Sequence, residues 1–177
     1  MAALRMIALL LLTCCAGCGT PHATLPTHEK IMIGGELWNL ELAMDEEAIR
    51  RGLMDRTTLP KDGGMLFIFQ DTDYRSFWMA NCLIDIDILF LDDRGTISAT
   101  HEMKVEPPRT AQESQFAYES RLRNYESVYP ARFAIELPAG SIQRLQVKPN
   151  QRLKMDTQRL KSLRNSADRT RSDRSSS

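Results

Sequence analysis

Short runs in which apolar and polar residues alternate occupy the middle of the chain. Between residues 36 and 43, the side chains of Trp38, Leu40 and Leu42 fall on one face of an extended segment, with the two-residue period of a half-buried strand. Comparable patterns predict further strands at residues 65–69, 75–79, 84–91, 96–102 and 132–137. Strands this short and closely spaced are typical of an all-β sandwich or barrel, and we favour the sandwich. The sequence therefore predicts a mainly β domain: a compact antiparallel, jelly-roll-like β-sandwich with one or two short helices.

Turn and capping residues punctuate these strands. The Asp-Asp-Arg-Gly run at residues 92–95 is typical of a hairpin turn. Asp45 can cap a short helix over residues 46–54, whose first turn carries acidic side chains that suit the helix dipole. A second short helix is predicted to begin at Ser141 and to end before Pro149.

The chain divides into four parts. After a leader, a polar segment with two prolines, residues 18–29, is predicted to be a flexible tether. Residues 30–155 form a single β-sandwich domain, and the Ser- and Arg-rich residues 156–177 are predicted to be a disordered basic tail. Within the domain, residues 104–129 are polar and without a strong period. They are predicted to form a long loop with one helical turn, either a lid or a simple insertion.

The first 17 residues have the layout of a bacterial secretory signal peptide. Arg5 precedes an apolar run over residues 6–12, and small residues follow. This run is too short to span a bilayer. The end of the leader, Ala-Gly-Cys at residues 16–18, resembles a lipoprotein cleavage box, which implies acylation of Cys18. The alternatives are a plain signal peptide, cut close to the same place, and a segment that is not cleaved.

Acylation at Cys18 would make the membrane a partner of this chain, because several acyl chains together anchor a protein stably. Gly19 stands where an inner-membrane retention signal carries Asp. The resemblance therefore implies a lipid-anchored protein of the cell envelope, in the outer membrane and facing the periplasm. Without acylation the protein would be secreted.

Charge and cysteine usage narrow the function further. Basic and acidic side chains balance at 23 each, so no overall field favours nucleic acid or a strongly charged substrate. Three of the four cysteines lie within the first 18 residues and only Cys82 belongs to the body, so no disulfide framework is predicted. No P-loop, nucleophile elbow or Gly-rich dinucleotide turn occurs. The sequence predicts no cofactor and no nucleic-acid partner.

Five short motifs, in this order, carry a family resemblance. They are RGLM at 51–54, GMLFIF at 64–69, SFWMANC at 76–82, DILFLDDRG at 87–95 and PARFAIELPAG at 130–140. Together they resemble the family known as domain of unknown function 192, over about residues 37–153. The resemblance implies a compact β-sandwich with a short helix after the second strand. It implies no reaction, since the function of that family is not established.

The main candidate site is built around Asp87, which stands among isoleucines in a predicted strand. Burying a carboxylate costs several kcal/mol unless it is paired or protonated. Arg51 or Arg132 could clamp it with two hydrogen bonds. Such a pocket would bind a small polar or anionic ligand, or an envelope component; the alternative is a buried ion pair that fixes strand register. The candidate ligand-binding residues are Arg51, Trp78, Asn81, Asp87, Tyr125 and Arg132.

Other patterns keep alternative functions open. His101 could act with either Asp87 or Glu102 in a hydrolase-like envelope enzyme. Four methionines could bind a soft metal in a periplasmic metal-handling protein: Met54, Met65, Met79 and Met103. Methionine is also a common residue of hydrophobic cores, so these side chains could simply be buried. Cys82 is predicted to be a buried thiol. The sequence contains neither a complete group of catalytic residues nor a complete group of metal ligands. It therefore favours a noncatalytic binding or accessory module.

Overall fold

The computed structural model describes residues 25–175. The predicted signal peptide at 1–17 and the predicted lipidation site Cys18 lie outside these residues. Within them the fold is mainly β, as predicted. Its strands are β1 His28–Ile33, β2 Glu36–Ala43, β3 Gly63–Asp73, β4 Ser76–Phe77, β5 Ile86–Leu91, β6 Ile97–Met103, β7 Tyr125–Glu126 and β8 Ala131–Pro138. Its helices are α1 Glu46–Arg51, α2 Gln115–Arg121, α3 Ser141–Arg144 and α4 Thr157–Ser175.

Six of the strands form one mixed sheet in the order β1-β2-β3-β8-β5-β6, and β4 pairs with β7 in a small second sheet. The prediction of an antiparallel architecture is wrong at one pairing, because β2 and β3 run parallel. The segment that contains α1 returns the chain to the end of the sheet at which β2 begins, so β3 runs in the same direction as β2. A tight hairpin joins only antiparallel strands and therefore cannot connect them. The remaining neighbours in the six-stranded sheet pair antiparallel.

Both faces of the central strands are buried. In β8, Phe133, Ile135 and Leu137 face one apolar cluster, which also contains Trp38 and Leu40. The alternate residues of β8 face a second cluster that includes Phe67, Phe77 and Phe90, and the small β4-β7 sheet and α1 lie on this side. Since successive side chains of a strand point to opposite faces, a polar residue in β5 or in the middle of β8 is buried whichever way it points.

The predicted caps are partly confirmed. Asp45 caps α1, and its Oδ1 accepts a hydrogen bond of 2.9 Å from the Ala48 backbone N–H. Helix α1 ends earlier than predicted because Gly52 adopts φ +50°, a conformation that favours glycine. Helix α3 begins where predicted but without a side-chain cap; the Ser141 hydroxyl donates instead to the Pro138 carbonyl oxygen. It ends at Arg144, well before the predicted stop at proline.

Several boundary predictions are wrong. Strand β1 begins at His28, inside the predicted tether. The predicted long loop at 104–129 contains both α2 and β7, and there are four helices among the described residues instead of one or two. The tail predicted to be disordered forms α4 over Thr157–Ser175, which packs against β3. Leu160 is fully buried there and Leu163 partly buried, because helical spacing aligns the few apolar side chains on one face. No helix within residues 25–175 is long and apolar enough to cross a membrane.

Candidate functional site

Asp87 is fully buried, as predicted, but an arginine does not neutralise it. Its Oδ2 accepts a hydrogen bond of 2.8 Å from the Ile142 backbone N–H, at the beginning of α3. No arginine among residues 25–175 forms an ion pair with it. Burial raises the pKa of the Asp87 carboxyl, and the backbone amides of Ile142 and Gly140 oppose that rise. The predicted guanidinium clamp is therefore wrong, and Asp87 ties β5 to α3.

Three other predicted site residues lie apart from Asp87. Arg132 donates to the Gln70 carbonyl oxygen on β3. Tyr125 is buried in the second apolar cluster. Asn81 adopts φ +54°, and its backbone N–H donates to the Tyr118 hydroxyl oxygen at 2.9 Å. The six candidates therefore do not converge on one pocket.

Arg51 and Trp78 do meet at one place. They line a cleft of about 350 Å³ between the end of α1 and the segment that contains β4. Trp78 is 43% exposed. Helix α1 contributes the arginine from its last turn, and the extended backbone after β4 presents the indole. This is the only part of the predicted candidate site that the described residues assemble.

Aromatic rings form the inner wall of the cleft. Phe69 and Phe77 line it, with their ring centroids 6.3 Å apart in an edge-on arrangement. Phe77 also makes an edge-on contact with Phe67 at a centroid distance of 5.0 Å. Such aromatic pairs fix ring positions beyond simple burial. The wall is therefore held by the second apolar cluster and is formed before any ligand arrives.

Glu136 lies at the floor of this cleft. It is on β8 and is only 5% exposed, and its Oε2 is buried without a hydrogen-bond partner. Its cross-strand neighbours are apolar, Met65 on β3 and Ile88 on β5. Burial raises the pKa of the Glu136 carboxyl to about 8, even though the Arg56 charge and the Leu53 backbone N–H act to lower it. The carboxyl is therefore mainly protonated and neutral at pH 7.

Gly52 separates the Glu136 carboxyl from the rim. A Cβ atom at this position would lie 3.5 Å from Oε2 of Glu136 and 3.4 Å from the Phe67 ring. Both are ordinary van der Waals contact distances, so Gly52 lies directly beside the buried carboxyl. Gly52 therefore ends α1 through its positive φ and lies next to the buried acid.

The rim of the cleft is positively charged. Arg50 and Arg51 are exposed at the end of α1, and neither forms an ion pair with another described residue. Arg75 is also at the rim, but it is engaged: it pairs with Asp71 and lies over the Phe69 ring at 4.3 Å. The cleft therefore combines two available guanidinium groups, an aromatic wall and a buried neutral acid.

The predicted hydrolase-like pair is wrong. His101 pairs with Ile88 in the sheet, whereas Asp87 pairs with Glu102, so the alternation of side chains places His101 on the opposite face from both acids. The imidazole packs between the rings of Phe90 and Tyr125. Its Nε2 lies 2.7 Å from the Glu126 carbonyl oxygen, which requires the N–H form of that nitrogen. His101 therefore cannot share a proton with either carboxylate.

The metal-handling alternative finds no support in the part of the chain that the structure describes. Within residues 25–175 no three His, Cys, Asp or Glu side chains come together as a metal site. Met65, Met79 and Met103 are buried in the second apolar cluster, and Met54 packs against a smaller one. Cys82 is buried as predicted, and desolvation raises the pKa of its thiol to about 12. A thiol so rarely ionised is a poor nucleophile.

Glu136 is the residue that sequence reasoning missed. The motif that contains it, FAIELP, carries the same signal as the Asp87 strand, namely an acid between large aliphatic residues. Alternation within β8 places Glu136 on the face opposite Ile135 and Leu137. That pattern was sufficient to flag a second buried acid. It could not show that this acid, and not Asp87, borders a cleft.

Comparisons with known proteins agree with this fold. The family model of DUF192, described as uncharacterized ACR, matches residues 29–155. A protein from Sinorhizobium meliloti 1021, whose crystal structure is described provisionally as a transcription regulator, is 30% identical; the match covers 71% of this chain and 89% of that one, with a TM-score of 0.56. A protein of unknown function from Novosphingobium aromaticivorans DSM 12444 is 22% identical over 76% of this chain and 89% of that one, with a TM-score of 0.62.

No curated protein matches the chain significantly. The similarity to the Novosphingobium protein is too low in identity to indicate more than a shared fold. The family match is different, because it spans most of the chain and contains all five of the motifs quoted above. The resemblance inferred from those motifs is thereby confirmed, and this chain belongs to the DUF192 family.

Proposed function

We propose that this protein is a noncatalytic binding or accessory module of the bacterial cell envelope, and that it binds a small molecule in the cleft beside α1. The single observation that carries the proposal is the Glu136 carboxyl, which is buried with one oxygen unpaired at the floor of a preformed cleft. Buried polar atoms in folded proteins nearly always have partners, and an orphan at a cleft indicates a missing one. Trp78 and Arg51 stand at the same cleft.

The proposal does not include transcription regulation, which is the role named for the Sinorhizobium relative. Regulators that bind DNA depend on a basic surface for most of their affinity, and this chain has equal numbers of basic and acidic residues. A ligand-binding role needs no such excess. It also agrees with the small apolar cleft, a usual form of small-molecule site.

Binding at the cleft is tested with paired variants of the full chain. We expect some members of a library of small organic compounds to bind, as detected by ligand-observed NMR. Trp78→Ala and Arg51→Ala should each weaken that binding by about tenfold, which is about 1.4 kcal/mol. Both side chains are at least partly exposed, so the free energy of unfolding should change by less than about 1 kcal/mol.

Phe116→Ala serves as the matched control, because Phe116 is 80% exposed on α2, away from the cleft. It should leave binding unchanged. The proposal is contradicted if no compound binds, or if the Trp78 and Arg51 variants alter only stability.

The envelope location rests on the leader. We expect the full chain, expressed in a bacterium supplied with an alkyne-bearing fatty acid, to incorporate the label and to sediment with membranes. Cys18→Ser should abolish both, whereas Cys15→Ser, three residues away in the same leader, should keep them. A wild-type protein that is exported without label would establish the secreted alternative. A Cys18→Ser variant that still carries the label would contradict acylation at Cys18.

A further inference from the structure

We propose that the cleft binds a small organic anion with a flat apolar body, whose anionic group faces Arg50 and Arg51 and whose far end presents a hydrogen-bond acceptor to Glu136. This inference rests on the proposed binding function and adds to it the chemical class of the ligand. Three features of the cleft define that class: its floor, its wall and its rim.

The Glu136 carboxyl at the floor of the cleft would bind a hydrogen-bond acceptor of the ligand. A neutral carboxylic acid has one O–H to donate, whereas a carboxylate only accepts. Because burial raises the pKa of Glu136 to about 8, the donor form dominates at neutral pH. The carboxyl also has no basic side chain bonded to it, and Oε2 has no partner at all among the described residues. A carbonyl oxygen or another neutral acceptor of a ligand would satisfy the O–H group.

The wall calls for a flat apolar body. Phe69, Phe77 and Trp78 line the cleft together, and rings in such an arrangement pack best against another ring, stacked or edge-on. The indole of Trp78 is 43% exposed, so a large apolar surface is available to be covered. A volume of about 350 Å³ lies near the lower limit for small-molecule sites, which are about 300–1,000 Å³. A single ring with short substituents is therefore the expected size.

The positive charges at the rim of the cleft favour an anionic ligand. Arg50 and Arg51 carry guanidinium groups without ion-pair partners among residues 25–175, and guanidinium binds carboxylate or phosphate with paired hydrogen bonds. A cationic ligand would have to pass these charges. It would also find no negative charge at the floor, because the acid there is mainly neutral at pH 7. An anion that enters with its apolar end first keeps its charge beside the arginines.

Three probes of similar shape separate these requirements, each titrated into the full-length protein by calorimetry at pH 6. Para-acetylbenzoate is an anion with a ring and a carbonyl acceptor. Para-isopropylbenzoate keeps the anion and the ring but lacks the acceptor, and para-acetylbenzylammonium reverses the charge. We expect the first to bind, the second to bind at least fivefold more weakly, and the third to bind at least tenfold more weakly than the first.

Variants at the floor and the rim test the same assignment. Glu136→Gln keeps a donor that does not titrate, so at pH 6 the affinity for para-acetylbenzoate should stay within about threefold of wild type. At pH 9.5 the wild type should bind at least tenfold more weakly than at pH 6, because ionised Glu136 no longer donates and repels the anion. The Glu136→Gln variant should change by less than about twofold. Arg51→Gln should weaken both benzoates and not the ammonium probe.

The ratio of wild-type affinities for the two benzoates gives a second measurement that needs no variant. It should fall toward one as the pH rises through 8, because only the acetyl group uses the Glu136 proton. Tight binding of the ammonium probe, or a ratio that does not change with pH, would overturn the assignment of the ligand class.

The two proposals can fail separately. If the probes do not bind but other compounds bind in a way that depends on Trp78, the ligand class is wrong and the binding function stands. If nothing binds, both are wrong.

Discussion

Replacing Glu136 with glutamine should make the folded protein more stable by roughly 4 kcal/mol at pH 9, an unusual result for a substitution in a buried strand. Glutamine has nearly the same shape and carries no charge. The wild-type protein must bury an ionised carboxylate at that pH, next to apolar neighbours and with an unpaired Oε2. Most substitutions destabilise by 0.5–3 kcal/mol, so a gain of this size would identify the ionised acid as the cause.

The pH window of this effect follows from the two pKa values. The carboxyl has an ordinary pKa of 4.5, which applies to the unfolded chain, and burial raises it to about 8 in the folded protein. Between these values the folded state holds a proton that the unfolded state releases. The stability of the wild type therefore falls as the pH rises from about 4.5 to about 8, and the total loss is roughly 4–5 kcal/mol. Below that window this carboxyl contributes no pH dependence.

Urea denaturation of both proteins at pH 4.5, 6, 7.5 and 9 measures this difference. The Glu136→Gln variant should match the wild type within about 1 kcal/mol at pH 4.5 and diverge progressively above it. In thermal unfolding at pH 9 the same difference should raise Tm by about 8–16 °C. Glu126→Gln, on the exposed side of β7, is the matched control and should show no divergence. Equal stability of wild type and Glu136→Gln at pH 9 would rule out a buried acid with a raised pKa.

A stabilising substitution at Glu136 would also bear on function. Proteins retain destabilising groups where binding or catalysis requires them, and stability gained at such positions is commonly accompanied by lost function. Glutamine should preserve the hydrogen bond but remove its pH dependence, so the two properties can be measured on one variant. This is why the Glu136 position links the fold to the proposed site.

Removing the Asp87 carboxyl should destabilise the protein by about 2–4 kcal/mol. Asp87→Ala leaves the Ile142 backbone N–H buried without its 2.8 Å partner, which costs about 1–3 kcal/mol, and it opens a small void beside the first apolar cluster. Asp87→Asn keeps an oxygen acceptor and should cost less than about 1 kcal/mol. Urea denaturation at pH 7 distinguishes the two variants, and hydrogen exchange of the Ile142 amide should be faster only in Asp87→Ala.

Double-mutant cycles separate this role from the guanidinium clamp that the sequence suggested. Arg51→Ala and Arg132→Ala should each add to Asp87→Ala within about 0.3–0.5 kcal/mol, as independent sites do. Coupling above about 1 kcal/mol between Asp87 and either arginine would contradict the observed arrangement and restore the clamp.

Much of the fold could be predicted because local patterns determine it. The alternation in β2 predicted Glu36–Ala43 with both of its ends, and the hairpin turn at 92–95 connects β5 to β6 as expected. Asp45 caps α1 because its side chain and the following acidic turn form a local signal. These features depend only on residues that are close in sequence, so they can be predicted from the local pattern.

Contacts between distant segments could not be predicted in the same way. The parallel pairing of β2 and β3 depends on the path of α1, which alternation does not encode. Helix α4 was missed because its composition is polar. Only two of its described side chains, Leu160 and Arg164, are buried, and a few others are partly buried. The partner of Asp87 is a backbone amide 55 residues away, and a backbone amide leaves no mark in the side-chain pattern.

The candidate site shows the same limit. Arg51 and Trp78 were identified from their motifs, and they do share a cleft. The role of Glu136 could be identified only from the structure. Strands β5 and β8 each carry an acid among aliphatic residues, and the sequence does not show which of the two acids contacts a helix amide and which borders a cleft. The register of β8 decides it, placing Glu136 beside Gly52.

At neutral pH, Glu136 should be a neutral acid at the floor of the cleft. Carbon-detected NMR titration of the Glu136 side-chain carboxyl in the full chain, assigned by comparison with Glu136→Gln, measures this directly. We expect a titration midpoint near pH 8, and a further rise when para-acetylbenzoate is bound. A midpoint near the ordinary value of 4.5, with no response to the probe, would rule out a neutral acid at this site.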